Sequence, residues 1–108
     1  MKIFISQPMR GLSNEEIAAT RKKIEEACKE KFKGEELVFI DSTVKGKETP
    51  PSDVTNIRLW YLGKSITKLA EADHFIGLVN AEETYSGCAI EHECAEFYRI
   101  PCTFFKLD

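Results

Sequence analysis

The chain has 108 residues, 43% of them hydrophobic and 31% charged, with a formal net charge of -3. That length suffices for one hydrophobic core without staples, so residues 1–108 are expected to form a single domain. No cluster of lysine or arginine interleaves with aromatics, which argues against duplex nucleic acid as a partner. No apolar run approaches membrane-spanning length, and no basic amino terminus leads into a long apolar stretch, so the expectation is a cytoplasmic protein with no membrane partner.

Ile3, Phe4 and Ile5 open the chain as a short strand in a sheet covered on both faces. Gln7-Pro8-Met9-Arg10-Gly11 follows as a loop. Helix one starts strongly, because Ser13 and Glu16 make a capping box and Leu12 with Ile17 a hydrophobic staple. It continues on Ile17, Arg21, Ile24, Cys28 and Phe32 and ends in lysines before Gly34. Leu37 to Ile40 reads as strand two. Asp41 to Asn56 is polar, holds Gly46 and Pro50-Pro51 and shows no periodicity, so it is expected to be a long mobile loop of the kind that acts as a lid. Helix two places Leu59, Leu62, Ile66 and Leu69 on one face. Trp60 and Tyr61 lie off that stripe, as subunit contacts or base-stacking groups.

His74 to Val79 forms strand three, with Asp73 before it in a structural role, and Cys102 to Leu107 forms strand four. Strand alternates with helix throughout, which argues for a three-layer α/β sandwich with a parallel sheet. Right-handed crossovers favour the order 2-1-3-4. The switch point of such a Rossmann-like or flavodoxin-like sheet lies between strands one and three, at their carboxyl ends, where a ligand is expected. Gln7 to Leu12 and Asn80 to Ser86 are the loops that flank it. Cys28, Cys88, Cys94 and Cys102 include no Cys-x-x-Cys pair and are expected as reduced core thiols. His92 and Glu96, one helical turn apart, are either a weak metal pair or a solvent-facing charged pair.

The helix after strand three holds an acid in an unexpected place. With Gly87 opening the helix and about 100° per residue, Ile90, Cys94, Phe97 and Tyr98 gather into one apolar arc, rimmed by Ala95 and Cys88. Glu91 falls inside that arc, whereas His92, Glu93, Glu96 and Arg99 point toward solvent. A carboxylate on an inner face is costly unless it is used. Burial would raise its pKa and backbone N–H groups at a helix amino end would lower it.

Gly87-Cys-Ala-Ile-Glu91-His-Glu-Cys-Ala95, followed by Pro101, resembles the Gly-x-x-x-Glu-x-x-x-Ala segment of the nucleoside 2-deoxyribosyltransferase superfamily, in which the glutamate is the nucleophile. From Lys2-Ile-Phe-Ile-Ser6-Gln7-Pro-Met9-Arg10-Gly11 through Tyr61-Leu-Gly-Lys-Ser65 to Glu91-His-Glu, the whole chain is similar to an often phage-encoded branch of that superfamily. Met9-Arg10-Gly11 also resembles an Ile-Arg-Gly segment beside the phosphate site of 2′-deoxynucleoside 5′-monophosphate N-hydrolases. The resemblance implies a small nucleoside or nucleotide as ligand, with Arg10 on a 5′-phosphate and Ser6, Gln7, Met9 and Gly11 on the same wall. Ser86 and Gly87 would line the opposite wall. It also implies a homodimer or higher homo-oligomer.

Two positions depart from the relatives. The transferases have an aspartate where this chain has Tyr85, and the hydrolases have one where it has Ser65. Tyr85 either donates a proton or packs over the ligand, and Ser65 hydrogen-bonds. The chemistry expected is therefore cleavage or transfer of an N-glycosidic bond with Glu91 as nucleophile and Tyr85 as the second catalytic group. A non-catalytic nucleotide-binding protein, as sensor or sequestering module, is the alternative, and an interaction subunit whose crevice is filled by a neighbour is a third. None of these needs a metal or an organic cofactor.

Overall fold

The computed structural model describes residues 1–41 and 48–107. In chain order the elements are β1 (Lys2–Ile5), α1 (Asn14–Lys31), β2 (Val38–Phe39), α2 (Ile57–Leu69), β3 (His74–Leu78), α3 (Ala81–Thr84), α4 (Ser86–Phe97) and β4 (Cys102–Phe105). The four strands form one parallel sheet in the order β2-β1-β3-β4. This is the doubly covered α/β architecture that the alternation of strand and helix dictates.

Successive side chains of a strand point to opposite faces, and β1 shows both faces in use. Ile3 and Ile5 pack with Ile24, Cys28 and Ile76 on the side covered by α1. Phe4 faces the other way and packs with Phe75, Leu69 and Ala95, on the side of α2 and α4. Phe4 is fully buried, and its replacement by alanine would cost about 3–5 kcal/mol.

Local chemistry fixes the ends of the elements. Ser13 accepts from the Glu16 N–H at 3.1 Å while the Glu16 carboxylate accepts from the Ser13 N–H at 3.0 Å, so the capping box of α1 is complete. Gly34, at φ +92°, takes the left-handed conformation that ends that helical run. Asp73 fastens the start of β3 to β1: its carboxylate accepts from the Lys2 N–H at 2.7 Å, and its own N–H donates to the Lys2 carbonyl at 2.8 Å.

The structure corrects the expected helix faces. On α2, Leu59 in the first turn is 61% exposed, and the stripe meets the body of the protein only from Leu62 onward. Trp60 and Tyr61 are half-buried instead. Their rings meet edge to face at 5.1 Å, with Lys64 Nζ 5.2 Å from the Trp60 ring. Asn80 to Ser86 is not all loop, because α3 occupies its centre after a left-handed Asn80 at φ +69°. Of the loop from Asp41 to Asn56, residues 42–47 lie outside the described residues, and the expected lid rests partly on them. Its far end is tied down, with Glu48 paired to Lys64 at 3.5 Å and a turn closed by the Val54 N–H on the Pro51 carbonyl. No helix among the described residues is long and apolar enough to cross a membrane.

Candidate functional site at the carboxyl ends of β1 and β3

Glu91 lies on the buried arc of α4 with Cys88 and Ala95, and is 8% exposed. Its carboxylate has one hydroxyl on each oxygen. Ser6, the residue after β1, donates from Oγ to Oε1 at 2.6 Å. Ser65, in the middle of α2, donates from Oγ to Oε2 at 2.5 Å. The Ser6 N–H is itself held on the Ile76 carbonyl at 2.8 Å, so β1 and β3 together set the height of this hydroxyl. Three elements distant in sequence thus converge on one acid, at the switch point between the two central strands.

Burial pushes the Glu91 carboxyl above its ordinary value, and the two serine hydroxyls pull it part of the way back. Both donors are neutral, so among the described residues the ionised form is solvated by hydroxyl dipoles rather than cancelled by a cation. An ionised carboxylate in this setting keeps its nucleophilic lone pairs.

The remaining candidates surround this centre at different depths. Gln7 is 6% exposed; its amide nitrogen donates to the Ile17 carbonyl at 3.0 Å, while its Oε1 is buried with no hydrogen-bond donor among the described residues. A buried amide oxygen without a donor is costly, which marks it as a group able to accept from a ligand. Met9, Arg10 and Gly11 form a turn closed by the Leu12 N–H on the Met9 carbonyl at 3.1 Å, with Gly11 at φ +81°. Glycine suits that third turn position, because a side chain there is strained. Arg10 is exposed on this turn and Met9 half-buried. Tyr85 is the residue before α4 and is half-buried, Ser86 begins the helix in an exposed position, and Gly87 follows. The structure therefore joins Ser6, Ser65 and Glu91 by direct hydrogen bonds. It places the Met9 to Gly11 turn in the loop that follows β1, and Tyr85, Ser86 and Gly87 in the connection that follows β3.

Sequence reasoning treated Cys88 only as a core thiol. It lies one turn before Glu91 and is buried; burial raises its thiol pKa, Ser6 opposes this by hydrogen bonding, and the Glu91 carboxylate adds to it. Its i, i+3 spacing to Glu91 was the signal that could have found it.

The arc expected for α4 is also rotated. Ile90 is exposed, and Phe97 and Tyr98 are 78% and 81% exposed. With Glu93 and Cys94 they line a surface groove of about 480 Å³ on the outward side of the helix, away from Glu91. His92, expected in solvent, is instead half-buried, stacked on Phe75 and edge-on to Phe104. The reason is polar satisfaction. Glu91 finds two hydroxyls, and the His92 ring packs on Phe75 and Phe104 while its nitrogens find Glu82 and Glu96.

By fold, this is a three-layer α/β protein with a Rossmann-like parallel sheet and an inward-facing glutamate at its switch point. Neither a protein-family model nor a curated protein sequence matches the chain.

Proposed function

We propose that this protein cleaves or transfers the N-glycosidic bond of a nucleoside or deoxynucleoside 5′-monophosphate, with Glu91 as nucleophile. The observation that carries the reading is the buried Glu91 carboxylate at the sheet switch point, held by two neutral hydroxyls. In the proposed reaction a Glu91 oxygen bonds to C1′ of the sugar as the C1′–N bond breaks, and its electrons leave with the base. Ser6 and Ser65 keep the carboxylate fixed and aimed during the attack, so little reorganisation is needed at the transition state. Tyr85, just before α4, supplies the proton that the departing base takes up. Water, or a second base, then attacks C1′ and frees Glu91.

Arg10 sits on the turn after β1, where a guanidinium offers bidentate binding to a 5′-phosphate. Gln7 Oε1 accepts from a sugar hydroxyl in the same reading. The resemblance to deoxyribosyltransferases and to nucleotide N-hydrolases, read from the Gly87 to Ala95 segment and from Met9-Arg10-Gly11, agrees with these roles. It also implies a second copy of the chain as partner. The exposed Phe97 and Tyr98 of α4 offer a surface for that contact in addition to Trp60 and Tyr61. Light scattering over a range of dilutions should then show a species larger than the monomer.

The test is chromatographic. The purified protein is incubated with nucleosides, deoxynucleosides and their monophosphates, alongside Glu91→Ala, and free base is measured. Base release by the wild type alone, fastest with a monophosphate, is the expected result. Equal release by Glu91→Ala would overturn the role of the glutamate. One observation favours a second reading as a non-catalytic nucleotide-binding protein: Ser65, which stands where the N-hydrolases have an acid, is already engaged with Glu91. In that case a nucleotide raises the Tm and is recovered intact.

A further inference from the structure

Next to Glu91 on α4, but turned toward β3 and β4, His92 has a different set of neighbours. One nitrogen of its ring, Nδ1, is hydrogen-bonded to a carboxylate oxygen of Glu82 on α3. The other, Nε2, lies 3.0 Å from Glu96 Oε1, one turn further along α4. Cys102, the first residue of β4, brings its sulfur to the same place, and the ligand atoms of His92, Glu96 and Cys102 all lie within 4.8 Å of one another. We propose that His92, Glu96 and Cys102 bind a divalent cation of the zinc class, with Glu82 orienting the histidine.

Three features lead there. The donors are an imidazole nitrogen, a carboxylate oxygen and a sulfur, the combination that suits a borderline-soft ion over calcium or magnesium. The imidazole is already aimed, since Phe75 stacks on it with centroids 5.8 Å apart and Phe104 meets it edge-on at 4.7 Å. A carboxylate on Nδ1 fixes the tautomer that leaves the Nε2 lone pair for a metal, the usual outer support of a histidine ligand.

The reach is short. Around a tetrahedral zinc the ligand atoms stand about 3.3–3.8 Å apart, so the present separations, all within 4.8 Å, need close by no more than roughly 1 Å to 1.5 Å on binding. Glu96 is the exposed member of the set, with freedom to make that move. Cys102 Sγ now donates to the Ile100 carbonyl at 3.3 Å, and burial together with the neighbouring Glu96 pushes the thiol pKa up to about 11. On binding, the thiol proton passes to solvent and the thiolate takes the metal. Three protein ligands leave a fourth position for water or a small anion. The ion would bridge the last turns of α4 to β4 across the Tyr98 to Pro101 connection, where Arg99 takes a left-handed φ of +60°.

The experiment is a cobalt(II) titration of the reduced, metal-free full-length protein, followed by competition with zinc. The expected result is a thiolate-to-cobalt charge-transfer band in the near ultraviolet, bleached by zinc, together with a rise in Tm on adding zinc. Cys102→Ser should abolish the band, and Cys94→Ser, a half-buried cysteine on the other side of the helix, should keep it. Glu82→Gln is a positioning variant, and should weaken zinc about 10- to 100-fold without removing the band. Because His92→Gln disturbs packing, Glu96→Gln at an exposed position provides a second test, with tenfold or greater weakening expected. Absence of a thiolate band in the wild type, or a band that survives Cys102→Ser, would overturn the site.

Discussion

Glu91 and His92 are neighbours on one helix, and the protein treats them in opposite ways. Glu91 points toward β1 and α2 and is met by two neutral hydroxyls. His92 points toward β3 and β4 and is met by two carboxylates and two aromatic rings. On the first side a buried carboxyl meets only neutral donors, which hold it in place without pairing it to a cation. On the second, both ring nitrogens and both faces of an imidazole are held by neighbours, which favours binding and rigidity over chemistry. About 100° of helix separates these two environments.

The sharpest way to break this comparison is Glu91→Gln. The amide keeps size, and one serine hydroxyl can turn to accept from its NH2, but it cannot attack C1′, so base release should fall by about 10³-fold or more. The Tm should stay within a few degrees. Activity near the wild-type level would remove the distinction between the two sides.

Gly77→Ala should come next, acting on the His92 side. A Cβ at Gly77 would lie 2.5 Å from Phe104 Cε1 and 3.2 Å from Phe75 Cε1. Phe104 is the ring that His92 meets edge-on, so it would have to move. A loss of about 1–3 kcal/mol in denaturant unfolding is expected, with base release largely kept. A loss of activity as large as that of Glu91→Gln would show that the two sides are mechanically one.

Ser65→Ala tests the hydroxyl support of Glu91. Removing a donor that favours the ionised form raises the Glu91 pKa further, so the acid limb of the pH–rate profile should move to higher pH. The rate should fall by about tenfold, the worth of one hydrogen bond to a charged group. An acid limb that stays in place would mean that Ser65 does not govern the ionisation of Glu91.

The smallest effect concerns stability. Because the folded protein holds the Glu91 carboxyl above its ordinary value, the protonated form favours folding, and that contribution is lost as pH rises through the folded value. Glu91→Gln has nothing to lose in that window. Its Tm relative to wild type should therefore become more favourable as pH rises above the ordinary carboxylate range, by a few degrees at most. The opposite trend would indicate a depressed pKa.

Much of this was legible in the sequence. The alternation of strand and helix gave the sheet order, Ser13 with Glu16 announced the start of α1, and the odd position of Glu91 was visible on a helical wheel. Hydropathy failed on α4, where Phe97 and Tyr98 lie outside and His92 inside. A wheel ranks residues by their own chemistry, whereas burial here follows partners. Ser6 lies 85 residues from Glu91, Ser65 lies 26 away, and Glu82 reaches His92 from a short helix that the polar stretch after β3 concealed. Such pairings depend on tertiary placement and leave no local periodicity.

The parallel order of the sheet also governs how the molecule can assemble in time. β1 lies at the centre between β2 and β3, and its lock to β3, the Lys2 to Asp73 pair, spans 71 residues. Contacts of such separation form slowly, since a long stretch of chain must be ordered before they contribute. The unit β1-α1-β2 can close early, but Ser6 and Glu91 meet only after α4 has docked on the far side of β3. Completion of the site therefore depends on that long-range docking, and a partly folded chain would carry a sheet edge without the Ser6 to Glu91 bond.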